Sequence, residues 1–547
     1  MILEVTKTQA LLRTSASPDV IMIASSLEGR RRWTPDGLVF EPTGHNLDRV
    51  RGLRGIQEPT PEPIVSGEAF EDHAEPYRSK TEAYAHQTRA LAALKNAFAL
   101  FMEQGTGKTK VAIDRSGQLW AAGKIDAVLV VSKKGVHRQW IEEQWPTHFG
   151  SDRYDAAFWP FKAVPRPLLA ADGRLKVFAV NYDGAKSERG KAAVIEFLKA
   201  HTGRVMIIAD ESQEIKNVAS ARWKAMNEFK TAAASLYRLL LTGTPIAKDL
   251  TDEWAQLKWL DERILGIRYV TTFRARFCRM GGFEGREVVG HVNIEEFREL
   301  TDPYSFRVTQ EEIGLIPPAF EEWAFDLDRR QVEMMKALKS ELMAELDSGG
   351  LVFAANQAVA IAKVQQISNG FLLDEERRPH LIVEPANNPR LNAMEEYLDA
   401  RGDRKVIIWA RFRHDIALIA ERLEKLGLSF VKYHGGVSDT QRAEGVKSFL
   451  SRQGAQVFLG NPQSGGTGLN LQGDCLHALY YSNGNNAIDR WQSQFRIQRI
   501  GTSGLVTYTD LVANRSADRG ILSNLRKKKS ISDLGIGEFR ALLEALP

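Results

Sequence analysis

Unbroken apolar runs punctuate the chain. Ala127–Val131, Val177–Val180, Val205–Ala209 and Leu239–Leu241 are each apolar throughout. Runs this short and without alternation predict strands covered on both faces, the habit of parallel sheets. Helix-period stretches lie between them, so residues 80–249 predict a doubly wound α/β lobe. A second series begins at Lys405–Trp409 and continues through Gln456–Leu459 and His477–Tyr481, giving a second such lobe over 401–547 with helices at its end. The intervening residues 250–400 show helical spacing, as in Arg330–Leu346, and few strand signals. They predict a mostly helical insert and inter-lobe linker. In front of the first lobe, Val20–Ile23 and Gly37–Phe40 predict short strands in a small α+β domain over 1–56. Residues 57–79 form a linker: from 57 to 77 there are six acidic residues, four prolines and no Lys or Arg.

Composition narrows the class without choosing a function. The chain has 547 residues, 43% hydrophobic and 26% charged, an ordinary globular balance with apolar mass for several cores. Its two cysteines, Cys278 and Cys475, stand far apart, which argues against a disulfide framework or a metal knuckle and fits a reducing, cytoplasmic setting. The amino terminus lacks the pattern of a signal peptide, and no apolar run is long enough to span a bilayer, so no membrane partner is expected. A net charge of +4 permits nucleic-acid binding but leaves it to a local basic groove.

The chemistry gathers at strand ends. Glu103, Gln104, Gly105, Thr106, Gly107, Lys108 and Thr109 read as a phosphate-gripping turn. The glycines allow tight backbone folding with N–H groups aimed at an anion, Lys108 can reach the β- and γ-phosphates of a nucleotide, and the Thr109 hydroxyl can hold Mg²⁺. The strict spacing asks for glycine at 102, where the chain has Met102. Asp210-Glu211-Ser212-Gln213 follows a buried strand. One acid can hold Mg²⁺ through its water shell and the next can polarise an attacking water, while an N-cap for the following helix remains the plainer use of the same residues. Thr242-Gly243-Thr244-Pro245 ends another strand and is small enough to lie against the acid pair, or is simply a turn. Gly466, Thr467 and Gly468 form a second glycine-rich turn, open to phosphate or merely flexible. Gln492 begins a stretch in which Arg496 and Arg499 are three apart, a spacing that predicts one helix face. There they either grip γ-phosphate oxygens or form a solvated basic face.

The order and spacing of these motifs resemble a superfamily-two helicase-like ATPase of the Swi/Snf type, from about residue 80 to 530. Asp210–Asn217 is similar to that family's second motif, with Gln213 in place of the usual His. Leu241–Ile246 resembles the third motif, Gly466–Leu471 the fifth and Gln492–Gly501 the sixth. Arg307–Pro318 and Gln366–Gly370 resemble the segments that flank the insert. The compact form is similar to bacterial and bacteriophage members.

This resemblance implies two RecA-like lobes and a division of labour. Lys108 and Thr109 bind phosphate and Mg²⁺, Asp210 helps hold the metal, and Glu211 is the general base. Gln87 reads the adenine edge, and Gly468, Arg496 and Arg499 complete the ATP site from the second lobe. Gln213, Thr242, Gly243, Thr244 and Gln492 couple the two activities. Ser132, Lys133, Lys134, His434, Gly435, Gly466 and Thr467 are where the family would touch nucleic-acid phosphates.

Residues Glu28–Val39 resemble the small HARP-type recognition domain, with Arg31 and Trp33 placed to meet a DNA backbone and an exposed base. The implied function is a monomeric, DNA-dependent ATPase, using ATP and Mg²⁺, that translocates on duplex or branched DNA. A strand-separating helicase and an ATP-switched binding module are the alternatives.

Overall fold

The computed structural model of the chain describes residues 2–5, 10–13, 18–27, 31–34, 37–40, 46, 50, 77–246, 249–281, 287–347, 353–465, 469–484, 486–526 and 536–547. The chain divides into two compact units, Met1–Ile313 and Gly314–Pro547.

The first unit opens with an antiparallel sheet of β1 (Ile2–Val5), β2 (Ala10–Arg13), β3 (Arg31–Thr34) and β4 (Gly37–Phe40), in the order β1-β2-β4-β3. Between β2 and β3 runs a helix, Pro18–Ser25. It contains Val20–Ile23, which the apolar run predicted to be a strand. Four consecutive apolar residues do not distinguish strand from buried helix, and proline at the first helical position favours the helix. Val20 and Ile23 pack with Leu38 and Phe40 in a small core. The linker from 57 to 76, and Glu28–Arg30 and Pro35–Asp36 of the HARP-like stretch, lie outside the described residues.

The main body of this unit is a sheet built from β5 (Ala97–Met102), β6 (Ala127–Ser132), β7 (Tyr154–Phe158), β8 (Leu175–Asn181), β9 (Val205–Asp210) and β10 (Arg238–Leu241). After the hairpin β11 (Cys278–Gly281) and β12 (Glu287–His291), β13 (Ser305–Val308) joins its edge. All seven strands are parallel, in the order β13-β5-β10-β9-β6-β8-β7. Along β6, Ala127, Leu129 and Val131 enter one core while Val128 and Val130 enter the other. Burial on both faces is why its sequence shows no polar alternation.

In the second unit, β14 (Ala319–Phe325) opens the chain order. The hairpin β15 (Phe371–Leu373) and β16 (Pro379–Leu381) follows, then β17 (Val406–Trp409), β18 (Phe430–Tyr433), β19 (Val457–Gly460), β20 (His477–Tyr480) and β21 (Thr507–Ala513). Six of these strands form a parallel sheet, β14-β21-β20-β17-β19-β18. Helices Arg329–Asp347 and Phe353–Asn369 pack against the carboxyl-terminal helices in a separate apolar cluster. The expected α/β class with two parallel-sheet lobes is therefore present. The stretch 250–400 is less purely helical than its spacing predicts: β13 and β14 supply an edge strand to each sheet, and their mixed polar sequences reflect that position.

Candidate nucleotide site and nucleic-acid surfaces

The phosphate-type loop follows β5. Met102 is the last residue of that strand and fully buried, so the position where a strict motif asks for glycine belongs to the sheet here and not to the turn. Gly105 and Gly107 take φ of 79° and 85°, left-handed values that glycine adopts without strain. Gly107 also caps helix Lys108–Ala121, and a Cβ there would come within 2.1 Å of Nε2 of Gln87.

Gln87 lies against this loop. Its Nε2 donates at 3.4 Å to the carbonyls of Thr106 and Gly107, and its Oε1 accepts from the Tyr84 backbone at 3.0 Å. The expected adenine-reading amide is thus engaged with the phosphate loop. Lys108 Nζ donates to the carbonyls of Met102 and Glu103 at 2.8 and 3.0 Å. Thr106 Oγ1 donates to the Glu103 carbonyl at 2.7 Å. Gln310, just past β13, ties the same loop down through Glu103 and the Gln104 carbonyl, both at 2.8 Å.

The acid pair ends β9. Glu211 adopts φ 53°, a left-handed value that is uncommon outside glycine. A hydrogen-bonded chain runs from it. Gln104 Nε2 donates to Glu211 Oε1 at 3.5 Å, Gln213 Nε2 donates to Glu211 Oε2 at 2.6 Å, and Thr242 Oγ1 donates to Gln213 Oε1 at 2.6 Å. The Thr244 backbone N–H then donates to Thr242 Oγ1 at 3.0 Å, and a Cβ on Gly243 would press on the Gln104 backbone at 3.0 Å. Gln213 therefore spans the gap that the resemblance gives to a histidine, because its amide donates at one end and accepts at the other. Ser212, held by Gln256 at 2.7 Å, joins this turn to the Pro245 carbonyl, which accepts from the same Gln256 at 2.7 Å.

Burial, with the neighbouring Glu211 charge second, pushes the Asp210 carboxyl up to about 6. Lys108 and the hydrogen bond from Trp140 act in the opposite sense. Asp210 is buried and Glu211 beside it half-buried, and the charge of a divalent cation would relieve the repulsion between them. The carboxylate of Asp210 at the end of β9 and the hydroxyl of Thr109 in the first turn of helix Lys108–Ala121 are oxygen donors of the kind that suits Mg²⁺, a hard ion that keeps most of its waters.

In the second unit, helix Ala487–Gln494 ends before either arginine, so Arg496 and Arg499 do not share a helix face as their spacing predicts. They converge in the turns that follow. Arg496 donates to the Leu469 carbonyl at 3.0 Å and to the Gln492 carbonyl at 3.0 Å, and Arg499 reaches the same Leu469 carbonyl at 3.4 Å. Burial draws the Arg499 guanidinium below the usual arginine range. Gln492 is buried on the helix. Gly466, Thr467 and Gly468 lie outside the described residues.

The expected nucleic-acid residues also sit at strand ends. Ser132 closes β6 with a buried hydroxyl that has no hydrogen-bond partner among the described residues, Lys133 pairs with Glu214 at 3.5 Å, and Lys134 is exposed. After β18, His434 accepts from the Gly436 backbone at 3.1 Å, and Gly435 is exposed. Burial, then the charges of Arg413, Lys432 and Arg442, lower the His434 pKa, which marks a positive corner. Arg31 and Trp33 are exposed on the edge strand β3. Trp140, Tyr182, Gln256 and Gln310 carried no signal in the sequence, since each acts through a long-range partner. Among the described residues no helix is long and apolar enough to cross a membrane.

The model of the SNF2-related domain matches residues 73–370, and that of the helicase conserved C-terminal domain matches residues 389–501. The ISWI chromatin-remodeling complex ATPase CHR11 of Arabidopsis thaliana is 25% identical over 347 residues, 61% of this chain and 31% of that protein. The DNA repair and recombination protein RDH54 of Saccharomyces cerevisiae is 26% identical over 359 residues, 61% of this chain and 38% of that one. A solved Sulfolobus solfataricus SWI2/SNF2 ATPase core in complex with dsDNA aligns at 21% identity and TM-score 0.38, covering 86% of this chain and 96% of that chain. The chain spans about a third of the length of the curated relatives it matches, 31% and 38% for these two. With a family match running through the phosphate loop, the acid pair and the threonine turn, the chain belongs to the SNF2-related family.

Proposed function

We propose that this chain is a DNA-dependent ATPase that couples Mg²⁺-assisted ATP hydrolysis to translocation on duplex DNA. One observation carries the reading: the chain of hydrogen bonds from Gln104 through Glu211 and Gln213 to Thr242, which joins the phosphate loop, the acid pair and the third strand end into one polar assembly. A solvated cap would not need three strand ends wired together.

Lys108 exchanges its loop carbonyls for β- and γ-phosphate oxygens. Asp210, with Thr109, would hold Mg²⁺, which when bound would neutralise charge on the phosphates. Glu211 orients and deprotonates the attacking water, and Gln213, itself held by Thr242, holds its carboxylate. Arg496 and Arg499 would supply positive charge to the nucleotide, releasing the Leu469 carbonyl to do so. Gln87 contacts the adenine edge once the loop opens around nucleotide.

Duplex DNA is the favoured partner. Ser132 and Lys133-Lys134 in the first unit, and His434 and Gly435 amid Arg413, Lys432 and Arg442 in the second, would follow its phosphates. Gly466 and Thr467 would do so as well. Arg31 and Trp33 would add contacts at branched sites. The relatives' own names, a chromatin-remodeling ATPase and a DNA repair protein, support DNA as the substrate class.

The test is ATP turnover measured with no nucleic acid, single-stranded DNA, duplex DNA, forked DNA and RNA, alongside triplex displacement. Strong stimulation by duplex with displacement of the third strand is the expected result. Turnover indifferent to every nucleic acid would sink the proposal.

A further inference from the structure

The proposed chemistry makes no use of the buried indole of Trp140. Trp140 is 1% exposed, and its indole N–H donates to Asp210 Oδ2 at 2.8 Å. The other carboxylate oxygen accepts the Glu211 backbone N–H at 3.0 Å, and the Asp210 main-chain carbonyl accepts the Tyr182 hydroxyl at 3.0 Å. The carboxylate is therefore fixed in rotation by one donor on each oxygen. Each oxygen retains a second acceptor position for a metal-bound water. The indole N–H has no acceptor capacity and cannot ligate a metal, so its only service is to aim the group it touches.

The backbone goes out of its way to deliver it. Trp140–Gln144 is a π-helical turn set between Val136–Gln139 and Trp145–His148, with the Trp145 N–H bonded to the Trp140 carbonyl. In a regular α-helix, residues five apart point about 140° away from each other. Trp140 and Trp145 are both buried, which that geometry would not allow on one inward face. The wider turn brings both inside, and such turns cluster where a side chain must be re-aimed.

We propose that Trp140 is a positioning residue whose indole N–H orients Asp210 to receive the Mg²⁺ of a bound nucleotide. The inference rests on the nucleotide site proposed above. Outer-shell partners of this kind typically govern metal affinity by roughly 10–100-fold.

The experiment is ADP binding to the full-length chain by calorimetry, once with Mg²⁺ and once with EDTA, so that the gain due to metal is read apart from turnover. Trp140→Phe keeps the ring and removes the donor. It is expected to lose about tenfold or more of the Mg²⁺-dependent gain, with ADP affinity in EDTA unchanged. Trp140→His returns a ring N–H and is expected to recover part of the gain. A Trp140→Phe chain with the full gain, or with equal losses in both conditions, would overturn the proposal. If Trp140→Phe does not fold, Trp140→His alone decides: retention of part of the gain supports the role and complete loss overturns it. Asp210→Asn separates the two levels. Should it also leave the metal gain intact, the metal assignment of Asp210 fails, and not merely the role of Trp140.

Discussion

Lys108 spends its positive charge on the Met102 and Glu103 carbonyls. Those two bonds hold the loop in shape, and on the proposed reading both give way to phosphate oxygens. Lys108→Ala is expected to reduce ATP turnover by at least about 10²-fold, in line with losing one charged contact to the transferring group, while duplex DNA still binds. Parallel turnover and gel-shift measurements check this, and normal hydrolysis by the variant would remove Lys108 from the phosphate role. At this scale the sequence was informative where a residue's job is set by its immediate neighbours. Gly105, Gly107 and Lys108 announce a phosphate turn because the turn itself demands them. Trp140 and Gln256 announce nothing, because their value comes from Asp210 and Ser212 lying 70 and 44 residues away in the chain.

Among elements, the strands buried on both faces were the readable ones. β6, β8 and β9 have no polar alternation to confuse them. β5 is equally apolar, yet only Lys95 and Asn96 separate it from the apolar end of helix Ala85–Ala93 and Leu94, so the boundary is blurred. β13 and β14 are edge strands with exposed positions, and they look like helix or loop. The arginine pair shows the same limit in another form: a spacing of three suits a helix, but the helix had already ended at Gln494. Convergence on the Leu469 carbonyl still places both guanidiniums together. Arg499→Ala is expected to bind ATP normally and lose about 10³-fold in hydrolysis, as for an arginine finger. Equilibrium binding of a fluorescent nucleotide beside single-turnover hydrolysis distinguishes this from a binding role.

Helix Arg413–Lys425 carries a separate, titratable element. Asp415 is fully buried, accepts from Asn369 at 2.8 Å and Ser482 at 2.9 Å, and burial pushes its carboxyl up to about 7. A raised carboxyl pKa means the folded chain keeps a proton that the unfolded chain has released. Stability contributed here is present at low pH and falls as pH rises from the ordinary aspartate range through about 7. Asp415→Asn is neutral throughout. Its melting temperature relative to the parent chain is expected to climb between about pH 5 and pH 8, and a constant difference would contradict the raised value.

For the whole molecule, the two parallel sheets and the family match fix the class, whereas partner choice depends on surfaces that net charge alone does not reveal. A charge of +4 over 547 residues is nearly balanced, so the DNA affinity proposed above would have to come from local corners such as Arg413, Lys432 and Arg442 around His434. Binding through phosphates releases counterions, and the logarithm of the duplex affinity is expected to fall linearly with the logarithm of salt concentration. The slope should be about −0.9 per phosphate contact, and replacing Lys432 or Arg442 with Ala should flatten it by about one such contact. A slope near zero in the parent chain would argue against phosphate-led binding.

β13 lies beside β5 although about two hundred residues separate them in the chain. On a ribosome, the flank of β5 therefore waits for its neighbour. At about 5–20 residues per second, the interval is roughly ten to forty seconds. Throughout that time a hydrophobic strand edge is complete in sequence and unmatched in structure, an open seam available to chaperones or to another nascent chain. Ser305–Val308 thus completes the first sheet's border late in synthesis, and Gln310, two residues beyond it, ties down the phosphate loop.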